Sequence, residues 1–300
     1  MNSRPSWRLP ASLAIALVAV VCALVAAGRG AGLSEPVAYV HPPPVIAPVA
    51  DAKAEAPAGA GEPMRKPAAV AARTASTVTI LVVGLGLGEA ATRAAIGLPA
   101  EVALAFSPYG ARTMEWQREA RNAGHEVLVE LPVEPADPAR ADAGPQVIRL
   151  AGTADAQIRA LDWVMERASD AKGLLISAGA FTAAPNALAP VLNLLAGRGL
   201  VVVEVGGSHL AGTAAAAGAA YLGADGPLDR DPQPNAIDTA LREVEAAARR
   251  AGRAVAFVRA YPVSVARVAA WSASLDATGT RLARLGDVPG RTEAVEGGRP

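Results

Sequence analysis

The sequence predicts an α/β fold, a distorted (β/α) barrel preceded by one transmembrane or signal helix and a disordered linker. Three observations predict it. Short aliphatic or β-branched runs recur after Thr77. Amphipathic stretches of helical period lie between them. Both runs and stretches are absent before that point, where an apolar segment gives way to a Pro- and Ala-rich one.

The apolar segment runs from Leu9 to Ala27, roughly 19 residues without a charge, against the ~20 that a helix needs to cross a bilayer core. Arg4 and Arg8 precede it and only Arg29 follows closely. The positive-inside rule then puts the first residues in the cytoplasm and the rest of the chain across the membrane. The expectation is a chain anchored in the inner membrane and facing the periplasm. The small residues Ala26, Ala27 and Gly28 leave open a cleaved signal peptide and a secreted product.

Residues 29–77 are dominated by Pro, Ala and Gly, with HPPP at 41–44. Such a stretch buries too little apolar surface to offset the entropy of ordering it, so a flexible linker is predicted. The folded domain is expected over 78–288 and a flexible tail over 289–300.

Within the domain, strands are expected at 78–83, 101–106, 126–131, 173–177, 200–204, 219–223, 254–258 and 281–285. Most are nearly continuous in apolar residues, as strands covered on both faces are, which implies a parallel sheet between helices. Among the helices, 236–251 is the clearest. Ile237, Leu241, Val244 and Ala248 fall on one stripe, Glu245 precedes Arg249 by four, and Gly252 can stop the helix. A second helix is expected over 154–168, with Thr153 as its N-cap and Ile158, Leu161 and Met165 inward. Seven or eight strand–helix units fit a small barrel, with an open doubly wound sheet as the alternative.

Composition limits the chemistry. The chain is 52% hydrophobic, enough for a sizeable core. Lys plus Arg and Asp plus Glu are 28 each, so no excess of positive charge draws a phosphate backbone, and nucleic acid is not an expected partner. The single cysteine, Cys22, lies in the apolar segment, and His41, His125 and His209 share no ligand spacing. A zinc site built from His and Cys is not expected. The glycines of VVGLGLGEA follow the first strand, but Glu89 stands where a dinucleotide fingerprint needs its third glycine, opposing a phosphate. No nucleotide and no cofactor are predicted.

In either architecture ligands meet the carboxyl ends of the strands. The residues there are Val83, Gly84, Ser107, Glu134, Ser177, Glu204, Asp225, Arg259 and Asp287. Glu134, Glu204 and Arg259 are expected to face one pocket at that rim, with Ser107 beside them, as substrate-binding groups. His125 precedes its strand and is read as a packing residue at the opposite end. His209, after the Gly206-Gly207 turn, is read as a helix-start residue.

The order of segments VTILVVGLGL, LPAEVALAFSPYG, AGHEVLVELPVEP, GAFT and AIDTALREVEAAARRAGRAVAFVRAYPVSVARVAAW resembles the divergent polysaccharide deacetylase family, over residues 78–288. The resemblance implies an exported, carbohydrate-related protein with a polysaccharide-deacetylase-type barrel. It also implies an Asp-Asp pair after the first strand, where this chain has Val83 and Gly84, and an Asn-His-Met-Gly segment corresponding to Ile176, Ser177, Ala178 and Gly179. Glu204 stands where Asp is usual, Arg259 occupies a basic or imidazole position before Tyr261 and Pro262, and Glu134 is retained. Metal-assisted deacetylation needs an activated water and a base, and these replacements remove the expected ligands. The chain is therefore read as catalytically degenerate, binding an envelope glycan or an envelope protein, with no metal and no assigned catalytic residue. Two alternatives stand beside it, a carbohydrate hydrolase or deacetylase working through Glu134 and Glu204, and a structural scaffold of the envelope.

Overall fold

The computed structural model describes residues 76–168, 170–275 and 279–288. The predicted membrane or signal helix, residues 29–75 of the linker and the 289–300 tail lie outside the described residues. Among the described residues no helix is long and apolar enough to cross a membrane.

The strands are β1 (Ser76–Leu85), β2 (Ala103–Phe106), β3 (Val127–Glu130), β4 (Gly173–Ser177), β5 (Val201–Val205), β6 (Tyr221–Ala224), β7 (Arg253–Arg259) and β8 (Thr280–Leu282). The helices are α1 (Glu89–Ile96), α2 (Thr113–Asn122), α3 (Ala154–Met165), α4 (Ala189–Gly197), α5 (Ala211–Ala216), α6 (Pro234–Ala251) and α7 (Pro262–Ser272). Every named pairing is parallel, in the order β6-β5-β4-β3-β2-β1-β7, with β8 added to β1. The sheet curls until its two ends meet through a single bridge. The Asp225 amide donates to Val255 O at 2.9 Å, and the Phe257 amide to Asp225 O at 3.0 Å. One bridge in place of a full ladder makes the barrel distorted rather than regular.

The alternation of side chains along each strand sorts them into two environments. Leu81, Val83, Ala103, Ala105, Leu128, Leu175, Val203, Leu222, Ala224 and Phe257 pack together inside the barrel. Their strand neighbours, among them Ile80, Leu104, Leu174 and Val202, pack outward under the helices. Helix α6 seats Ile237, Leu241, Val244 and Ala248 there, the predicted stripe. Each large apolar side chain so buried contributes about 1.5–3 kcal/mol. Glu245 pairs with Arg249, and Gly252 ends the helix at φ 81°. That left-handed conformation favours glycine.

Several boundaries differ from the sequence reading. Strand β1 begins at Ser76, two residues before the expected domain start, because Ser76 Oγ lies 2.9 Å from Thr280 Oγ1 and Thr77 is in register with Arg253. The last strand is Thr280–Leu282 rather than 281–285. Strand β2 takes the edge of β1 from Leu81 onward, leaving β8 only Ser76 to Val78. Helix α3 ends at Met165, three residues early. Thr153 Oγ1 caps it, accepting from Ala156 N at 3.3 Å, but its buried face is Gln157, Ala160, Leu161 and Val164, with Ile158 and Met165 only half-buried. Leu161 is common to the predicted and the observed face, and Ala160, Leu161 and Val164 share a core cluster with Val191, Leu192 and Leu195 of α4.

Candidate functional site

The same alternation decides which strand-end side chains reach the mouth of the barrel. Glu130 has the parity of Leu128, Ser177 that of Leu175, and Ser107, just past β2, that of Ala105. These three line an open cleft of about 380 Å³ together with Tyr109, Asp142 and Gly144. Its remaining walls are apolar or backbone: Leu87, Pro108, Leu131, Pro132, Ala143 and Leu175.

Glu130 is the central group. Its Oε1 accepts the Gly84 amide at 2.5 Å, across the space between β1 and β3. Gly84 sits at φ 81° at the end of β1. Protein packs closely round the carboxyl although part of the residue opens to the cleft. This burial pushes its pKa up to about 7, against the opposing pull of the Gly84 N–H. A carboxyl that takes up a proton near neutrality in a cleft is the kind of group that binding and catalytic sites use.

Tyr109 is held on three sides. Its hydroxyl accepts the Gln146 amide at 3.2 Å, and its ring lies 5.2 Å from that of Trp163. Gly144 passes so close that a Cβ there would stand 2.6 Å from Tyr109 Cζ. Burial raises the phenol pKa, the Gln146 N–H lowers it, and Asp142 raises it further.

The other residues predicted for the site are engaged elsewhere. Glu134 Oε2 accepts the Leu150 amide at 2.8 Å, and its backbone bonds Ile148 and Ala180, so it pins a long loop. Glu204 is fully buried on the outer face of β5, with the parity of Val202. It accepts from His209 N at 2.9 Å, His209 Nδ1 at 3.1 Å, Leu210 N at 2.9 Å and Tyr221 Oη at 2.7 Å, which holds the entry to α5. Arg259 ends β7 and bonds the fully buried Asp229 through Nε at 3.2 Å and its own amide at 2.9 Å, while its guanidinium lies 4.8 Å from the Tyr261 ring. Of the predicted set, Ser107 lines the cleft, whereas Glu134, Glu204 and Arg259 belong to three separate networks. His125, at the amino end, is buried with its ring nitrogens 2.8 and 3.0 Å from Val102 O and Ile96 O.

Glu130 and Asp142 were missed by taking the residue just after each apolar run. Counting by twos from Leu128 finds Glu130. No pattern in the sequence marks Asp142, which an excursion of the chain between β3 and α3 brings over the mouth.

A family model, that of the divergent polysaccharide deacetylases, matches residues 80–288. The chain belongs to this family. A crystal structure of an uncharacterized protein from Agrobacterium tumefaciens C58 superposes with a TM-score of 0.67 at 30% identity, covering 72% of this chain and 89% of that one. Comparison with curated proteins gives no match.

Membership suggests a carbohydrate-related function and raises the question of a metal. The positions that resemblance assigns to ligands hold Val83, packed in the apolar barrel interior, and Gly84, which offers only an amide. At the end of β4, Ile176 and Ala178 are buried apolar groups and Ser177 a neutral hydroxyl. Among the described residues no three His, Cys, Asp or Glu side chains come together in a way that could hold a metal ion. This donor set does not fit a catalytic metal, which ordinarily keeps three protein ligands.

Proposed function

We propose that the barrel binds a cell-envelope glycan at the cleft around Glu130 and does not deacetylate it through a metal. The observation that carries this is the chemistry of the lining. Two serine hydroxyls, a fixed phenol and two carboxyl groups are set among leucine and proline walls, a mixture suited to a sugar's hydroxyls and its apolar faces. The anchored, periplasm-facing placement is part of the proposal and rests on the length and flanking charges of residues 9–27. Hydrolysis through Glu134 and Glu204 is less well supported, since Glu204 already serves four donors and faces away from the mouth.

The test is retention on immobilised chito-oligosaccharides and peptidoglycan, paired with an assay for released acetate with and without zinc, cobalt or nickel. Retention without turnover, lost on Glu130→Gln, is the expected result. Metal-stimulated acetate release would establish the enzyme instead, and neither retention nor turnover would leave the scaffold reading.

A further inference from the structure

Glu204, Asp229 and Glu245 are buried carboxylates and Glu130 is a half-buried one at the mouth, and they are not treated alike: Glu245 has Arg249 as its partner. Glu204 receives four hydrogen bonds. Asp229 receives the Arg259 amide and Nε and the Ser264 hydroxyl, the last at 2.6 Å. Glu130 receives only the Gly84 amide, and among the described residues no side-chain cation answers it. A buried charge usually has a partner, and a group left short of one calls for an explanation.

The cleft supplies it. No Lys, Arg or His lines the walls, and the titratable groups there are Tyr109, Glu130 and Asp142. Asp142 uses Oδ1 to accept the Gly144 amide at 2.8 Å, which leaves Oδ2 without a donor among the described residues. The Tyr109 ring, which lines the same cleft, is locked by Trp163 and the close approach of Gly144. Two carboxylates with spare acceptors and a rigid aromatic ring are the complement of an ammonium ion, which brings three N–H donors and a charge that a ring face attracts.

We propose that the cleft is a site for a primary ammonium group, held by Glu130 and Asp142 beside Tyr109, so that the glycan it selects is one carrying free amines. This rests on the glycan-binding reading for the source of the amine, but not for the amine itself. The chemistry is shared by amino sugars and simple alkylamines, and the two separate in the experiment. Binding ionises Glu130, and the proton that it held is released to solvent.

Calorimetric titration of the full chain with a glucosamine oligomer, its N-acetylated counterpart of equal length, and butylamine tests the proposal. Butylamine stays protonated to a pH of about 10, as a lysine side chain does, so its pH dependence reports on the protein. The glucosamine oligomer and butylamine should bind, and the acetylated oligomer at least ten-fold more weakly. Butylamine affinity should rise close to ten-fold from pH 6 to 8, and this rise should vanish in Glu130→Gln. Asp142→Asn, on an exposed loop, should weaken both amines several-fold without altering thermal stability, which keeps the test valid if Glu130→Gln fails to fold. Equal affinity for the two oligomers, or no butylamine binding, overturns the ammonium site while leaving glycan binding standing. Butylamine bound with neither oligomer bound keeps the ammonium site and overturns the glycan reading.

Discussion

The amide of Gly84 donates to Oε1 of Glu130 at 2.5 Å, tying the end of β1 to the end of β3 across the mouth of the barrel. The first strand thus brings a backbone donor to the mouth, and the third brings the carboxyl that accepts from it.

Glu130 should make stability depend on pH in an unusual direction. Its folded pKa, about 7, lies above the ordinary value of 4.5, so between them the native state binds more protons than the unfolded one. Stability then falls as pH rises through that window and levels off above it, the reverse of a carboxylate with a depressed pKa. The difference corresponds to about 3 kcal/mol, to order of magnitude. Glu130→Gln removes it, so the variant should exceed wild type in urea unfolding at pH 8 and match it at pH 4.5. An identical pH profile in the two proteins would refute this.

Gly84→Ala probes the backbone behind the same contact. A Cβ at Gly84 meets nothing within 4 Å, so there is no clash to relieve. The cost arises from φ at 81°, where an L side chain loses about 1–2 kcal/mol. A loss in that range is expected by chemical denaturation, with a further drop in ligand affinity if the amide shifts. A silent substitution would mean that the strand end relaxes to another conformation.

How much of this was legible in the sequence differs between frame and site. Most strands were legible because they are β-branched or aliphatic runs bounded by glycine or polar residues, as in VTILVV, and α6 because a single stripe carries its buried face. The site was harder for a geometric reason. Glu130 is the last residue of β3 and Glu204 the last but one of β5, and that parity difference of one residue sends Glu204 out under α5 and Glu130 to the mouth. That parity was readable from the barrel alternation. The positions of Asp142 and Asp229 depend on how loops fold back, which no local period encodes.

Glu204 and Glu134 were grouped from the sequence and should behave differently on substitution. Glu204→Ala strands the Leu210 amide in a buried place and takes an acceptor away from the part-buried His209 amide and from the Tyr221 hydroxyl. Unsatisfied buried donors cost roughly 1–3 kcal/mol each before relaxation, so a total of about 3 kcal/mol or more is expected. Glu134→Gln keeps an oxygen for the Leu150 amide and should cost no more than about 1 kcal/mol. Thermal unfolding of the pair decides it, and equal losses would contradict the assignment of Glu204 to the α5 anchor.

Arg259 and Asp229 provide the last test, because their burial is unequal. Asp229 is fully buried, while the Arg259 side chain is 39% exposed and stacks on Tyr261. Removing the cation strands a carboxylate that cannot reach water, whereas removing the carboxylate leaves a guanidinium that can. Breaking a buried pair from one side costs about 3–5 kcal/mol when the remaining charge is trapped, and Asp229 keeps the Ser264 hydroxyl and the Arg259 amide, which moderates the loss. Arg259→Ala is therefore expected to cost about 3 kcal/mol. Adding Asp229→Ala to it should cost little more, since the trapped charge leaves with the second substitution. A double-mutant cycle then gives a favourable coupling of at least about 1.5 kcal/mol. Additive losses would show that the two side chains are independent, and that Arg259 is free to meet a ligand at the rim.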